Sequence, residues 1–415
     1  MPTADAITTP SIRQLAAIGR ATLNDDVFGE DRATAELERH MAAVCGHEAA
    51  AFVVSCTMAN QLALGALLGG GGCAGPRGVL ADASAHVVNF EAGGLATLSG
   101  ATVLPVRPAN GLYLTAEDVA KHARVESCGV SLLDGGDQDG YGCTTAPTST
   151  TGTTGATGTG GDDWGVPVTV CPMRVVSVEN TSHGNVVPLS ELRALKEWAT
   201  KHGVLVHVDG ARVWDAVASE KAAPGTNNNT LADIAACADA MTLSFAKGIG
   251  APIGAVVVGS AAVIRRVKRL RQSIGGGVRK MGVLATAARE ALLENFGPGG
   301  VDTRGILGEV HTMAAAVARM WTDRGGRLSR PTETNMVWLD LASAGATAEV
   351  LSDLGMKNGI LLAGPRIVLH HQISNKALAS LERVFDDLLV RRQLEVAIKS
   401  SDVAFQSKAC VQAMW

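Results

Sequence analysis

The sequence predicts an α/β protein: a mostly parallel sheet in a large domain, then a small C-terminal α+β domain. Three observations carry this. Short apolar runs alternate with helical patterns through the first three hundred residues, as expected of parallel strands joined by covering helices. After Pro298 the texture changes to a long helix, short strands and a closing helix. The 415 residues, 47% hydrophobic and 18% charged, can bury a sizeable core,.

The elements follow in order. Residues 30–46 set Ala35, Leu37, Met41 and Val44 among charges at helical spacing and stop at Gly46,. Residues 49–54 read as a buried strand and 57–68 as a helix ended by Gly69. Strands are expected at 79–82 and 101–106, and a helix at 115–123 with Thr115 as N-cap,. Residues 142–161 are almost wholly Gly, Thr, Ser, Ala and Pro, so no core face can be written there and a disordered insertion is expected. A strand at 174–179 precedes a helix at 188–202 that Ser190 is expected to cap. Strands follow at 204–209, 240–245 and 253–259. The last part predicts a helix at 308–324, strands at 335–341, 360–362 and 366–370, and a helix at 376–391.

Composition narrows the function. A net charge of −4 excludes a strongly basic nucleic-acid binder, and 2 Tyr with 7 Phe offer few stacking platforms,. No secretory signal is readable at the first residues. The apolar run 253–264 is about half the ~20 residues of a membrane span. The eight cysteines are scattered, with no CxxC and no metal-ligand spacing,. Free thiols, no metal and a cytoplasmic location are expected. Gly70, Gly72 and Gly75 fit GxGxxG, but the match follows no strand directly and runs into Pro76.

The strongest chemical signal is Asp209 with Lys247, each at the C-terminal end of an apolar strand. That edge of an open parallel sheet is where ligands bind. A lysine there can bond an aldehyde cofactor, with the acid holding a pyridinium proton. Spacing alone leaves a buried ion pair equally open.

Six motifs in order resemble the L-threonine aldolase family of pyridoxal 5'-phosphate enzymes, in its yeast-type branch. They begin at Asp25-Asp26-Val27-Phe28-Gly29-Glu30-Asp31, at Ala85-His86 through Gly94, and at Glu179-Asn180-Thr181-Ser182-His183-Gly184. Asp209-Gly210-Ala211-Arg212, residues 246–254 and residues 275–282 complete them. The resemblance implies the fold type I (aspartate-aminotransferase-like) architecture. It implies an N-terminal arm over 1–24, a large cofactor domain over 25–295, a small domain over 296–395 and a tail over 396–415.

It also implies roles. Lys247 resembles the cofactor-binding lysine, Asp209 the acid on the pyridine nitrogen, and His86 the histidine stacked on the ring. Arg212 resembles the arginine beside the ring hydroxyl and substrate carboxylate, and Arg366 the carboxylate-binding arginine. Ser55, Cys56 and Thr57 resemble the phosphate loop. Arg279 resembles an arginine reaching a phosphate from a neighbouring subunit, which implies a homodimer or a dimer of dimers. His183 matches the histidine near the substrate hydroxyl.

Four positions depart from the pattern. Ala4 replaces a serine that touches substrate, Cys56 a glycine, Ala246 a serine, and Phe28 a tyrosine near substrate. The expected reaction is retro-aldol cleavage of a threonine-type β-hydroxy-α-amino acid to glycine and an aldehyde. The lost hydroxyls at 4 and 28 fit a shifted substrate, or racemisation of a small amino acid such as alanine, as in some fungal relatives. A catalytically silent binding protein is a third reading, against which the retained Lys247, Asp209, Arg366 and His86 argue.

Overall fold

A computed structural model describes residues 5–69, 76–125, 169–219, 230–297 and 305–390. The 142–161 segment, Gly70, Gly72 and Gly75, the 396–415 tail and Ala4 lie outside the described residues.

A short 3-10 turn at Asp5–Ile7 opens the described residues. Helices α1 (Ile12–Ile18) and α2 (Arg32–Cys45) follow, and Gly46 caps the second in the left-handed conformation. Strand β1 (Ala49–Val53) feeds α3 (Cys56–Leu68), whose N-cap Ser55 accepts from the Met58 amide. Strand β2 (Gly78–Asp82) leads into α4 (His86–Asn89) and α5 (Gly94–Ser99), then β3 (Thr102–Val106). Helix α6 (Ala116–His122) carries the expected Thr115 cap, closed reciprocally by Asp118,. Next come β4 (Met173–Glu179), α7 (Leu189–Lys201), β5 (Leu205–Gly210), α8 (Val213–Ala218), α9 (Leu231–Ala235), β6 (Ala240–Ser244) and β7 (Ala255–Gly259). Helices α10 (Ala261–Ser273), α11 (Gly282–Asn295) and α12 (Gly305–Thr322) lead to β8 (Met336–Trp338), α13 (Ala348–Lys357), β9 (Arg366–Val368) and α14 (Asn375–Phe385). A π turn at Asp386–Val390 closes the described chain.

The main sheet runs β1-β7-β6-β5-β4-β2-β3. Only β7 pairs antiparallel, with β6 and β1. Side chains alternate across it: Val256 and Val258 join the cluster on one face, Ala255 and Val257 that on the other. Both faces are therefore covered, which is why the strands read as unbroken apolar runs. A third cluster, from Val310 to Leu389, lies between α12, α13, α14 and the β8–β9 pair. No helix of the described residues is long and apolar enough to cross a membrane.

Three expectations fail. Ser190 does not cap α7. Pro188 occupies the N-cap position with extended backbone and no side-chain bond, so Ser190 lies inside the first turn. Residues 360–362 form no strand, because the Ile360 amide closes the end of α13 on the Gly355 carbonyl and Leu361 is exposed. The apolar run at 253 becomes a strand only at Ala255. Gly254 before it has φ +117°, and a Cβ there would lie 2.6 Å from the Phe52 ring.

Candidate active site

Parallel strands deliver their C-terminal residues to one sheet edge. Here β2 ends on Asp82, β4 on Glu179 and β5 at Asp209-Gly210, while Lys247 follows β6. Glu179 and Asp209 are register partners. Above this edge lies a cavity of about 470 Å³. Its walls include Lys247, Asp209, His86, His183, Arg212 and Arg366, and also Ser55, Cys56 and Thr57.

Asp209 is buried, at 3% exposure. Its Oδ2 accepts from Asn60 Nδ2 at 2.7 Å and its Oδ1 from the Ala211 amide at 2.9 Å. Among the described residues no cation lies within ion-pair distance of it. The same Asn60 Nδ2 donates to Glu91 Oε1 at 2.9 Å, and Thr242 Oγ1 donates to Asn60 Oδ1. Glu91 Oε1 in turn meets His86 Nδ1 at 2.7 Å. That bond with Glu91, against burial, raises the His86 pKa. One buried network thus runs from Asp209 to the His86 imidazole. The His86 amide donates to Glu179 Oε1, and burial plus the Asp209 carboxylate push the Glu179 carboxyl up to about 7.

Lys247 is half-buried; its carbonyl accepts from the Gly250 amide at 2.8 Å, while its side-chain amine has no ion-pair or hydrogen-bond partner among the described residues. Ser55 satisfies the Met58 amide, whereas the Cys56 and Thr57 amides open α3 without an intrahelical acceptor. Cys56 Sγ lies 3.9 Å from Asp209 Oδ1, and burial raises its thiol pKa strongly.

Arg212 is committed in an unforeseen way. Its Nε and Nη2 donate to the two oxygens of Asp5 at 2.8 and 2.7 Å. Asp5 is fully buried and also accepts from Asn335 Nδ2 at 3.0 Å. Burial works against this carboxylate, but Arg212 holds it down at about 2. Arg366 stands at the rim, its guanidinium 5.9 Å from the Trp338 ring centroid.

His183 adopts φ +49°, which non-glycine residues rarely do,. Its Nε2 is 2.9 Å from Ser84 Oγ, and Ser84 Oγ donates to Asp82 Oδ1 at 2.7 Å. Trp338 Nε1 donates to the His183 carbonyl at 2.9 Å, and the two rings meet edge to face at 5.8 Å.

Two expected site residues lie outside this cavity. Phe28 is 71% exposed. Arg279 sits over its ring at 5.7 Å and pairs with Asp25 at 2.8 Å. Sequence reasoning missed Asp5, Asn60, Ser84, Asp82 and Glu91 as parts of the site. Asn60 had one signal, its position a turn beyond Cys56 on the helix that opens at the cavity. Glu91 and Glu179 lay inside recognised motifs.

A family model described as beta-eliminating lyase matches residues 3–129 and 169–344. The chain is 40% identical to "Alanine racemase TOXG" of Cochliobolus carbonum, over 93% of this chain and 86% of that one. It is 39% identical to "Aldolase vrtJ" of Penicillium aethiopicum, over 93% and 85%. It is 35% identical to "Low-specificity L-threonine aldolase" of Eremothecium gossypii, over 91% and 85%. Among solved structures, a threonine aldolase of Leishmania major superposes with TM-score 0.66 at 17% identity, covering 93% of this chain and 98% of that one. It shares the fold.

Proposed function

The chain belongs to the beta-eliminating lyase family, among its threonine-aldolase-like members, and on that premise we propose that it is a pyridoxal 5'-phosphate-dependent lyase. It cleaves a β-hydroxy-α-amino acid of the L-threonine or L-allo-threonine type to glycine and an aldehyde. The observation that carries the cofactor is Asp209: a buried carboxylate without a cation needs a cationic donor, and a protonated pyridine nitrogen is one. The unpaired Lys247 on the same cavity suits the aldehyde, and the open amides of Cys56 and Thr57 suit the phosphate. When bound, the cofactor supplies an electron sink for the pair released at the substrate Cα.

The chain's residues supply the rest. Arg366 presents a guanidinium fork to the substrate carboxylate. Arg212, held by Asp5, adds positive charge on the same cavity. His86, fixed by Glu91, would help hold the cofactor ring in the cavity. His183 takes the proton of the β-hydroxyl. Phe28 and Arg279, outside their own cavity, act across the boundary of a homodimer or dimer of dimers.

The relative named as an alanine racemase favours a second reading, exchange of the Cα proton of a small amino acid on this scaffold. Separate incubations with L-threonine, L-allo-threonine and L-alanine decide. Glycine with acetaldehyde supports the lyase. D-alanine without aldehyde overturns it in favour of the racemase. Purified protein is expected to show a visible cofactor absorption band that Lys247→Ala abolishes.

A further inference from the structure

We propose that Asp82 and Ser84 are positioning residues that fix His183 in its Nε2–H tautomer, so that Nδ1 is the proton acceptor offered to the substrate hydroxyl. The role at the hydroxyl rests on the lyase reading; the tautomer does not.

The argument is one of proton counting. A carboxylate accepts only, and a serine hydroxyl has a single proton. Ser84 Oγ lies 2.7 Å from Asp82 Oδ1, and the Ser84 amide donates to the same oxygen at 2.7 Å. The hydroxyl proton therefore points at Asp82, in the stronger, charge-assisted bond. The 2.9 Å contact between Ser84 Oγ and His183 Nε2 must then take its proton from the imidazole. In a neutral ring that leaves the lone pair on Nδ1.

The surroundings keep the ring neutral and still. Burial and Arg330 lower the His183 pKa, with Arg366 and Arg212 adding to this and Asp82 opposing it. Trp338 holds both the carbonyl and the ring edge. With Nε2 engaged by Ser84, the ring cannot flip without losing that bond. Nδ1 has no partner among the described residues, nor is it among the sealed, unpartnered polar atoms. It is open, on a residue that lines the cavity.

In the cleavage, the β-hydroxyl proton passes to Nδ1 and the O–H pair becomes the second bond of the aldehyde carbonyl. The Cα–Cβ pair stays on Cα, which takes up a proton to give glycine, and Nδ1 returns its proton to solvent. Hydrogen moves from oxygen to carbon overall; the oxidation of Cβ to the aldehyde is balanced by the reduction of Cα, and no external oxidant is needed.

The test uses the holoenzyme labelled with ¹⁵N-histidine, with His183 assigned by its loss in His183→Gln. The wild type is expected to show a pyridine-type Nδ1 and a pyrrole-type Nε2. Asp82→Ala frees the Ser84 proton to turn toward Nε2. It should shift His183 toward the Nδ1–H form and lower kcat for the β-hydroxy substrate by roughly 100-fold, the lower end of what proton transfer to a placed base contributes. Asp82→Asn keeps a neutral acceptor at Oδ1 and should retain the wild-type tautomer and stay within about threefold in kcat. Were Asp82 acting by charge alone, Asn and Ala would behave alike. That outcome, or a pyrrole-type Nδ1 in the wild type, overturns the proposal. Exchange of a glycine α-hydrogen with deuterated solvent, which asks nothing of His183, reports that each variant is folded and loaded. If the wild type cleaves no β-hydroxy amino acid while the tautomer responds as stated, the lyase reading fails and the hydrogen-bond assignment stands.

Discussion

Asp5→Asn should loosen the first turn of the chain from the cavity, and the size of the effect follows from one carboxyl. Docked, Asp5 is enclosed and bonded twice by Arg212, and its pKa falls from 3.8 to about 2. That fall is worth about 2 kcal/mol, or roughly 30-fold in the docking equilibrium. Because the docked value lies below the free one, this contribution is complete above about pH 4 and is lost as pH falls through 2. Asparagine resembles the protonated acid, so at neutral pH the variant should undock about 30-fold more often. The Thr9 amide is the reporter, since it donates to Gln372 Oε1 at 2.9 Å when the segment is in place. Its hydrogen exchange at pH 7, in the regime where reclosing outpaces exchange, should accelerate by that factor. A rate within about threefold of the wild type would mean that the Asp5–Arg212 pair does not hold the segment.

Other perturbations have equally definite signs. Glu179→Gln imitates the protonated carboxyl; since burial and Asp209 raise Glu179 from 4.5 to about 7, the wild type loses stability as pH rises through that window. The variant's Tm should match it near pH 4.5 and exceed it at pH 8, and a difference independent of pH would refute the assignment. Gly254→Ala combines φ +117° with a Cβ 2.6 Å from the buried Phe52 ring; about 2–3 kcal/mol of destabilisation is expected, read as a Tm several degrees lower. Arg366→Lys keeps the charge and loses the fork, so KM for the amino acid should rise about tenfold with kcat little changed. A fall confined to kcat would remove Arg366 from carboxylate binding.

The sheet was legible because strands covered on both faces are continuous apolar runs, and those from Ala49 to Ser244 stand within a residue or two of their expected bounds. Helix α10 was not read. Its first apolar residues, Val263 and Ile264, continue the run that begins at Ile253, and periodicity within such a run separates strand from helix poorly. Ile360 and Leu362 have strand-like chemistry but spend their burial packing against α13. In the site, Asp209 and Lys247 were legible as residues at strand ends, and His86 through the motif it sits in. The Asp5–Arg212 pair spans 207 residues and the His183–Ser84 contact 99. No local pattern announces such partners, because they meet only after the strands have brought their ends to a common edge.

The distance along the chain between Asp5 and its partners also sets an order of events during synthesis. Arg212 follows Asp5 by 207 residues and Asn335 by 330. At about 5–20 residues per second, the ribosome leaves that carboxylate without its full set of partners for roughly 15 to 65 seconds. The sheet edge bearing Asp209 and Lys247 is complete by Gly259, about a hundred residues before Arg366. The nascent chain thus displays the groups assigned to the cofactor well ahead of the one assigned to the substrate carboxylate.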